Sequence, residues 1–131
     1  MYVFRDGQRR PRQHTENPMS RPIVIVESPY AGDIERNVAY ARAALSDCLR
    51  RGEAPYASHL LYTQPGVLRD EVPEERNHGI EAGFEFRRVA QATVVYTDLG
   101  YSEGMKLGIR HAEALGHPIE YRSLPGWATQ A

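Results

Sequence analysis

Two runs of apolar and β-branched residues, PIVIVES (residues 22–28) and TVVYTD (residues 93–98), each lead into a segment with helical spacing. Neither run alternates with polar residues, which is the pattern of a strand covered on both faces and therefore of a parallel sheet. Between and after them the chain keeps alternating. DIERNVAYARAALSDCLRRG (33–52) places Ile34, Val38, Ala41, Leu45 and Cys48 on one helical stripe ending at Gly52. APYASHLLYTQP (54–65) predicts a strand around His59 to Tyr62, and PEERNHGIEAGFEFRRVAQA (73–92) predicts a helix with Pro73 in its first turn. SEGMKLGIRHAEALGHP (102–118) predicts a third helix, with Met105, Ile109, Ala112 and Leu115 inward, and IEYRSL (119–124) a last strand. Strand and helix in strict alternation imply right-handed crossovers and a doubly wound α/β domain. The expected sheet has four parallel strands, in the order 2-1-3-4, with helices on both faces.

Composition limits the function classes. The 131 residues, 41% hydrophobic and 25% charged, suit one globular domain, expected over residues 22–131. Residues 1–21, with five arginines and two prolines and no periodicity, read as a flexible arm. A formal net charge of −1 supplies no basic field for nucleic acid. The single cysteine, Cys48, cannot form an internal disulfide and falls in a buried helical slot. No apolar stretch reaches a membrane span and no secretory leader is apparent, so a cytoplasmic protein with no membrane partner is expected. Glycine-rich dinucleotide and P-loop motifs are absent, as are Cys/His pairs at metal spacing, so no cofactor or metal is implied.

In an open α/β sheet of this order, ligands bind beyond the carboxyl ends of the strands, at the switch point beside strand 1. The junction SPYAGD supplies Ser28, Pro29, Tyr30, Gly32 and Asp33: a turn, a helix cap, or a cradle in which Tyr30 stacks on a base or sugar. The junction TDLGYSEGM supplies Asp98, Ser102, Glu103, Gly104 and Met105. Two carboxylates converging on one ligand raise one another's pKa and prepare one as an acid; the plain reading is a capped helix with two solvated acids. YTQPGVLRDEVPEER adds Tyr62, Gln64, Asp70 and Glu75. Gly79 and Gly83, four apart on one helix, require a close neighbour: the sheet, a ligand or a subunit. His59 reads as a packed residue rather than a ligand.

SPYAGD…N, ending at Asn37, together with SHLLYTQPG, PEERNHGIEAG and VVYTDLGYSEGMKLGI, resembles the small phage and bacterial proteins of the nucleoside 2-deoxyribosyltransferase superfamily. The resemblance covers about residues 22–124. It implies a flavodoxin- or Rossmann-like fold and a homodimer or larger homo-oligomer acting on a nucleoside or nucleotide. Ser28 to Gly32, with Asn37, would hold the substrate, Asp98 would assist at the base, and a glutamate at the following helix start would attack the anomeric carbon. If Gly108 is the family's glycine, the glutamate's slot holds Lys106, and Glu103 lies earlier in the turn. The expected activity is hydrolysis or transfer at an N-glycosidic bond with Glu103 and Asp98 as the acidic pair; the alternative is a nucleotide-binding module that has lost the nucleophile.

Overall fold

The computed structural model describes residues 20–127. Four strands, β1 (Ile23–Glu27), β2 (Ala54–Tyr56), β3 (Ala92–Tyr96) and β4 (Ile119–Arg122), form one parallel sheet in the order β2-β1-β3-β4. The helices are α1 (Ile34–Arg50), the single turn α2 (Ser58–Leu61), α3 (Pro73–Val89) and α4 (Glu103–Ala114). The expected topology is the one found. The switch of direction lies between β1 and β3, which run side by side from Val24↔Ala92 to Glu27↔Val95.

One strand is displaced from its expected place. β2 is Ala54–Tyr56, and His59 to Leu61 form α2 instead. The apolar letters of SHLLY pack a helical turn beneath α3, where a Cβ on Gly83 would lie 3.0 Å from the Ser58 hydroxyl and one on Gly79 3.0 Å from Leu68. The close neighbour that the two glycines require is thus α2 and the loop after it. In α1 the buried stripe is Asn37, Tyr40, Ala41, Ala44 and Cys48, while Ile34 is exposed. The helix is rotated because Asn37 and Tyr40 turn inward to hold loops. Residues 1–19 of the expected N-terminal arm lie outside the described residues; Arg21 donates from Nη1 to the Glu53 carbonyl at 2.9 Å.

The two faces of the sheet differ. Val24, Val26, Ala92, Val94 and Tyr96 meet Tyr40, Ala44 and Cys48 of α1 in the main apolar core. At its edge a buried ionic cluster ties β4 to the start of β2: Arg122 donates to both Glu53 oxygens, at 2.9 and 2.6 Å, and to Tyr96 Oη at 3.0 Å. Arg122 and Glu53 are 3% and 1% exposed, so each charge relies on the other for what water would supply. The opposite face, under α3 and α4, carries Ile25, Glu27, Thr93 and Val95. Among the described residues no helix is long and apolar enough to cross a membrane.

Removing Glu53 takes away the nearest carboxylate of buried Arg122 and leaves it Glu120 Oε1 at 3.3 Å. Glu53→Gln should lower the unfolding free energy by about 3–5 kcal/mol with an unchanged denaturant slope in urea titrations. A loss below about 1 kcal/mol would show that the pair does not hold β4 in place.

Candidate functional site

β1 ends in an acid, and the next residue is a serine; both face the other side of the sheet's carboxyl edge. Glu27 lies against α4 at Gly108, where an added Cβ would overlap its carboxyl group. Only a residue without a side chain admits that approach. From α3, Arg87, 2% exposed, reaches under the same point. Its Nη2 donates to Glu27 Oε2, its Nε to Thr93 Oγ1 at 3.0 Å, and its Nη1 to His111 Nδ1 at 3.1 Å. His111 stacks on Phe84 with ring centroids 3.9 Å apart. Burial, followed by the Arg87 charge, lowers the His111 pKa, consistent with a ring nitrogen that accepts from a guanidinium. His117 donates from Nε2 to the Ala90 carbonyl at 2.9 Å, since a carbonyl only accepts. The Thr93 hydroxyl is then free to donate to His117 Nδ1 at 2.9 Å while accepting from Arg87. One direction of hydrogen bonding therefore satisfies the whole cluster behind Glu27.

Glu27 is pulled two ways. Burial raises its pKa from 4.5 to about 7, and the charge and hydrogen bond of Arg87 hold it from rising further. A carboxyl so placed exchanges its proton near neutrality, the range useful in acid–base chemistry. Beside it, Ser28 Oγ and His59 Nε2 are 2.7 Å apart. Burial lowers His59 to about 4, so its ring is neutral at pH 7.

These groups open into a cleft of about 350 Å³. It is lined by the apolar residues Ile25, Ile80, Phe84 and Met105 together with Glu27, Ser28 and His59, and Tyr30, Asp70, Arg76 and Glu103 also line it. A second groove of about 370 Å³ adjoins it through Tyr30, Ala31, Asp70 and Arg76. The position is the switch point of the sheet, where an open α/β fold leaves a crevice between helices that diverge to opposite faces.

The residues expected from the sequence divide into those that line the cleft or the second groove, those that hold the frame, and those placed elsewhere. Ser28, Tyr30, Ser102, Glu103, Gly104 and Met105 line the cleft. Gly32, at φ +104°, borders the second groove. Others hold the frame: Asn37 Nδ2 donates to the carbonyls of Tyr30 and Ala31 at 2.9 and 3.0 Å, Asp33 caps α1 by accepting from Arg36 N at 3.2 Å, and Pro29 is buried in the turn. Ser102 caps α4, accepting from Met105 N at 3.2 Å.

Asp98, Tyr62 and Gln64 do not line the cleft. Asp98 Oδ2 accepts from Tyr40 Oη and from Leu124 N, both at 2.8 Å, which binds the β3 exit to α1 and to the segment after β4. The carboxyl is thus held by α1 and by the segment after β4. Tyr62 meets the Tyr56 ring edge-on at 6.4 Å and Gln64 donates to the Leu60 carbonyl at 2.9 Å. Glu75 is taken by Arg69, whose Nη2 lies 2.6 Å from Oε2. At the α4 start Glu103 is exposed and pairs with Lys106 Nζ at 3.3 Å.

A family model described as a domain of unknown function, DUF7768, matches residues 22–122. The chain belongs to the DUF7768 family. A comparison with curated proteins gives no match. Among solved structures this DUF7768 domain is similar to a 2-deoxyribosyltransferase from the psychrotolerant bacterium Bacillus psychrosaccharolyticus, at a TM-score of 0.56 and 20% identity, over 79% of this chain and 74% of that one. At that identity the likeness is one of fold, and it agrees with the deoxyribosyltransferase-like architecture expected from the motifs.

The titration of Glu27 has a sign that unfolding measures. Its folded pKa lies above the unfolded value, so its contribution is complete below about pH 4.5 and is lost as pH rises through about 7. His59 works oppositely, its contribution being present above pH 6.5 and lost as pH falls toward 4. Wild-type stability therefore mixes the two, and the difference between wild type and Glu27→Gln isolates the first. Measured by urea unfolding from pH 4 to pH 9, wild type should lose stability relative to the variant between pH 4.5 and 7.5. A difference independent of pH would mean that Glu27 keeps an ordinary carboxyl pKa.

Proposed function

We propose that the cleft binds a nucleoside or nucleotide and breaks its N-glycosidic bond, passing the sugar to water or to a second base. The observation that carries this reading is Glu27, a carboxyl with a pKa near 7, lining a partly apolar cleft, with Glu103 lining the same cleft at the start of α4. Departure of a base requires a proton on the base and negative charge near the anomeric carbon, and two carboxyl groups in unlike environments meet both needs. Glu27, raised to about 7 by burial, can give up and take back a proton near neutral pH. The exposed one, Glu103, stands in the first turn of α4.

In this reaction the C1′–N bond breaks and its electron pair stays with the base, which takes the proton of Glu27. A Glu103 oxygen bonds to C1′, or shields it as water attacks. In the second half water, or another base, displaces Glu103 and returns a proton to Glu27. The second groove gives the sugar and its substituents room beside Tyr30 and Arg76. Asp98 then sets the β3–α4 junction through Tyr40 and Leu124 rather than touching the base. Lys106 pairs with Glu103 and holds it near the helix start. The likeness in fold to a 2-deoxyribosyltransferase supports the ligand class.

Incubation with a panel of nucleosides and their 5′-monophosphates, with free base read by chromatography, tests the reading. Glu27→Gln and Glu103→Gln should each lower base release at least about a hundredfold, the scale of a lost general acid or nucleophile. The wild-type rate should fall as pH rises past about 7. Binding without release by wild type would favour a nucleotide-binding module; neither binding nor release would remove both readings.

A further inference from the structure

Arg87 meets Glu27 with one nitrogen where a guanidinium can use two. Nη1 and Nη2 offered side by side to both oxygens of a carboxylate form the pairing that most favours the anion over the neutral acid. Among the described residues only Nη2 reaches the carboxyl, at Oε2. Nε is taken by Thr93 Oγ1 at 3.0 Å, and Nη1 by His111 Nδ1 at 3.1 Å. The arm that would complete the fork is therefore the one that His111 holds.

Arginine only donates, so Nδ1 of His111 is a bare acceptor and the proton of the neutral ring is on Nε2. The ring lies flat on Phe84, with 3.9 Å between centroids and 6° between planes, which fixes the direction of Nδ1. Burial first, then Arg87, Arg88 and His117, disfavour the imidazolium, and Glu85 favours it. Against Glu27 the charged group is Arg87, and α4 meets the carboxyl with Gly108. Asp70, Arg76, Glu103 and the neutral His59 line the same cleft, and among the described residues none of them pairs with Glu27. A buried donor deprived of its partner turns to the nearest acceptor left. For buried Arg87 that acceptor is the carboxyl it already touches, and a carboxylate held by both arms gives up its proton more readily. We propose that His111, which does not itself line the cleft, is a positioning residue: by holding one arm of Arg87 it leaves Glu27 singly paired and keeps the proton affinity of that carboxyl high. Its effect on turnover rests on the N-glycosidic reading; its effect on Glu27 does not.

Carbon-13 NMR of protein labelled at the glutamate carboxyl follows Glu27 from pH 4 to pH 9 without any ligand, its signal assigned by its absence in Glu27→Gln. Wild type should titrate at about 7. His111→Phe keeps a ring on Phe84 and offers Arg87 no acceptor, and the Glu27 midpoint should fall by at least about one unit. His111→Asn puts an amide oxygen near the place of Nδ1, and the midpoint should stay within about half a unit of wild type. An unchanged or higher midpoint in His111→Phe overturns the proposal. So does an equal fall in both variants, the sign of a role in packing alone. Should His111→Phe not fold, nitrogen-15 NMR of wild type at pH 7.5 decides: the Nε2–H tautomer of His111 supports the hold on Arg87, and the Nδ1–H tautomer overturns it. A lowered midpoint in His111→Phe, with no base released by wild type, leaves the proposal standing and removes the N-glycosidic reading. Base release with an unmoved midpoint does the reverse.

Discussion

The cleft depends on one buried guanidinium. Arg87 stands on α3 and distributes its three nitrogens to β1, β3 and α4, through Glu27, Thr93 and His111. A buried arginine is costly unless each donor is matched, and here the matching is what brings three elements to a common point. The carboxylate that pairs with it stands at the last residue of β1, where the sheet changes direction and a crevice must open. Pairing and topology together put a near-neutral acid at the bottom of a cleft. Neither alone would do so, since the same acid in water would titrate near 4.5 and the same crevice without Arg87 would have no reason to hold it.

Glycine completes the arrangement by omission. On α4, Gly108 is the point of approach for Glu27, and any side chain there would occupy the position of Oε2. Gly83 on α3 gives a similar allowance to Ser58, whose Oγ and Cβ would lie 3.0 and 3.1 Å from an added Cβ. The two helices over this face therefore come close to the sheet edge without filling the space between them. A helix bearing glycine in its interior forfeits about 1 kcal/mol of propensity at each such position. That cost is offset where it admits a carboxyl already fixed by three elements.

The other face shows how the same sequence spends its remaining polar groups. Arg122 and Glu53 bind the far edge of the sheet to the β2 entry, and Tyr40, with Trp127 packed at 5.1 Å, holds Asp98. These groups are structural because their hydrogen-bonding capacity is spent within the protein. Glu27 differs in that one oxygen is unspent. What leaves an acid able to meet a ligand is the hydrogen-bonding capacity that remains after the fold has taken its share, not burial as such.

The fold was largely legible because its signals are periodic and local. IVIVE and ATVVY cannot be half-exposed strands, and the stops at Gly52 and Gly116 confine the helices between them. SHLLY misleads because a short apolar run has no period that separates a strand from one turn of helix. The site was legible only in part, along the junctions that every parallel sheet places on one rim. Ser28, Tyr30 and Glu103 could be placed on the rim of the candidate cleft in that way. Asp98 could not be placed, because the direction of a side chain leaving a strand is decided by partners 58 residues earlier and 26 later in the chain. Glu27 carries a weak local signal, an acid closing an otherwise apolar strand. Arg87 carries none, for a cation in the last turn of a helix is what the dipole alone would favour. Its role follows from a meeting with Glu27 across 60 residues, and only the folded arrangement makes two ordinary charges into one poised acid.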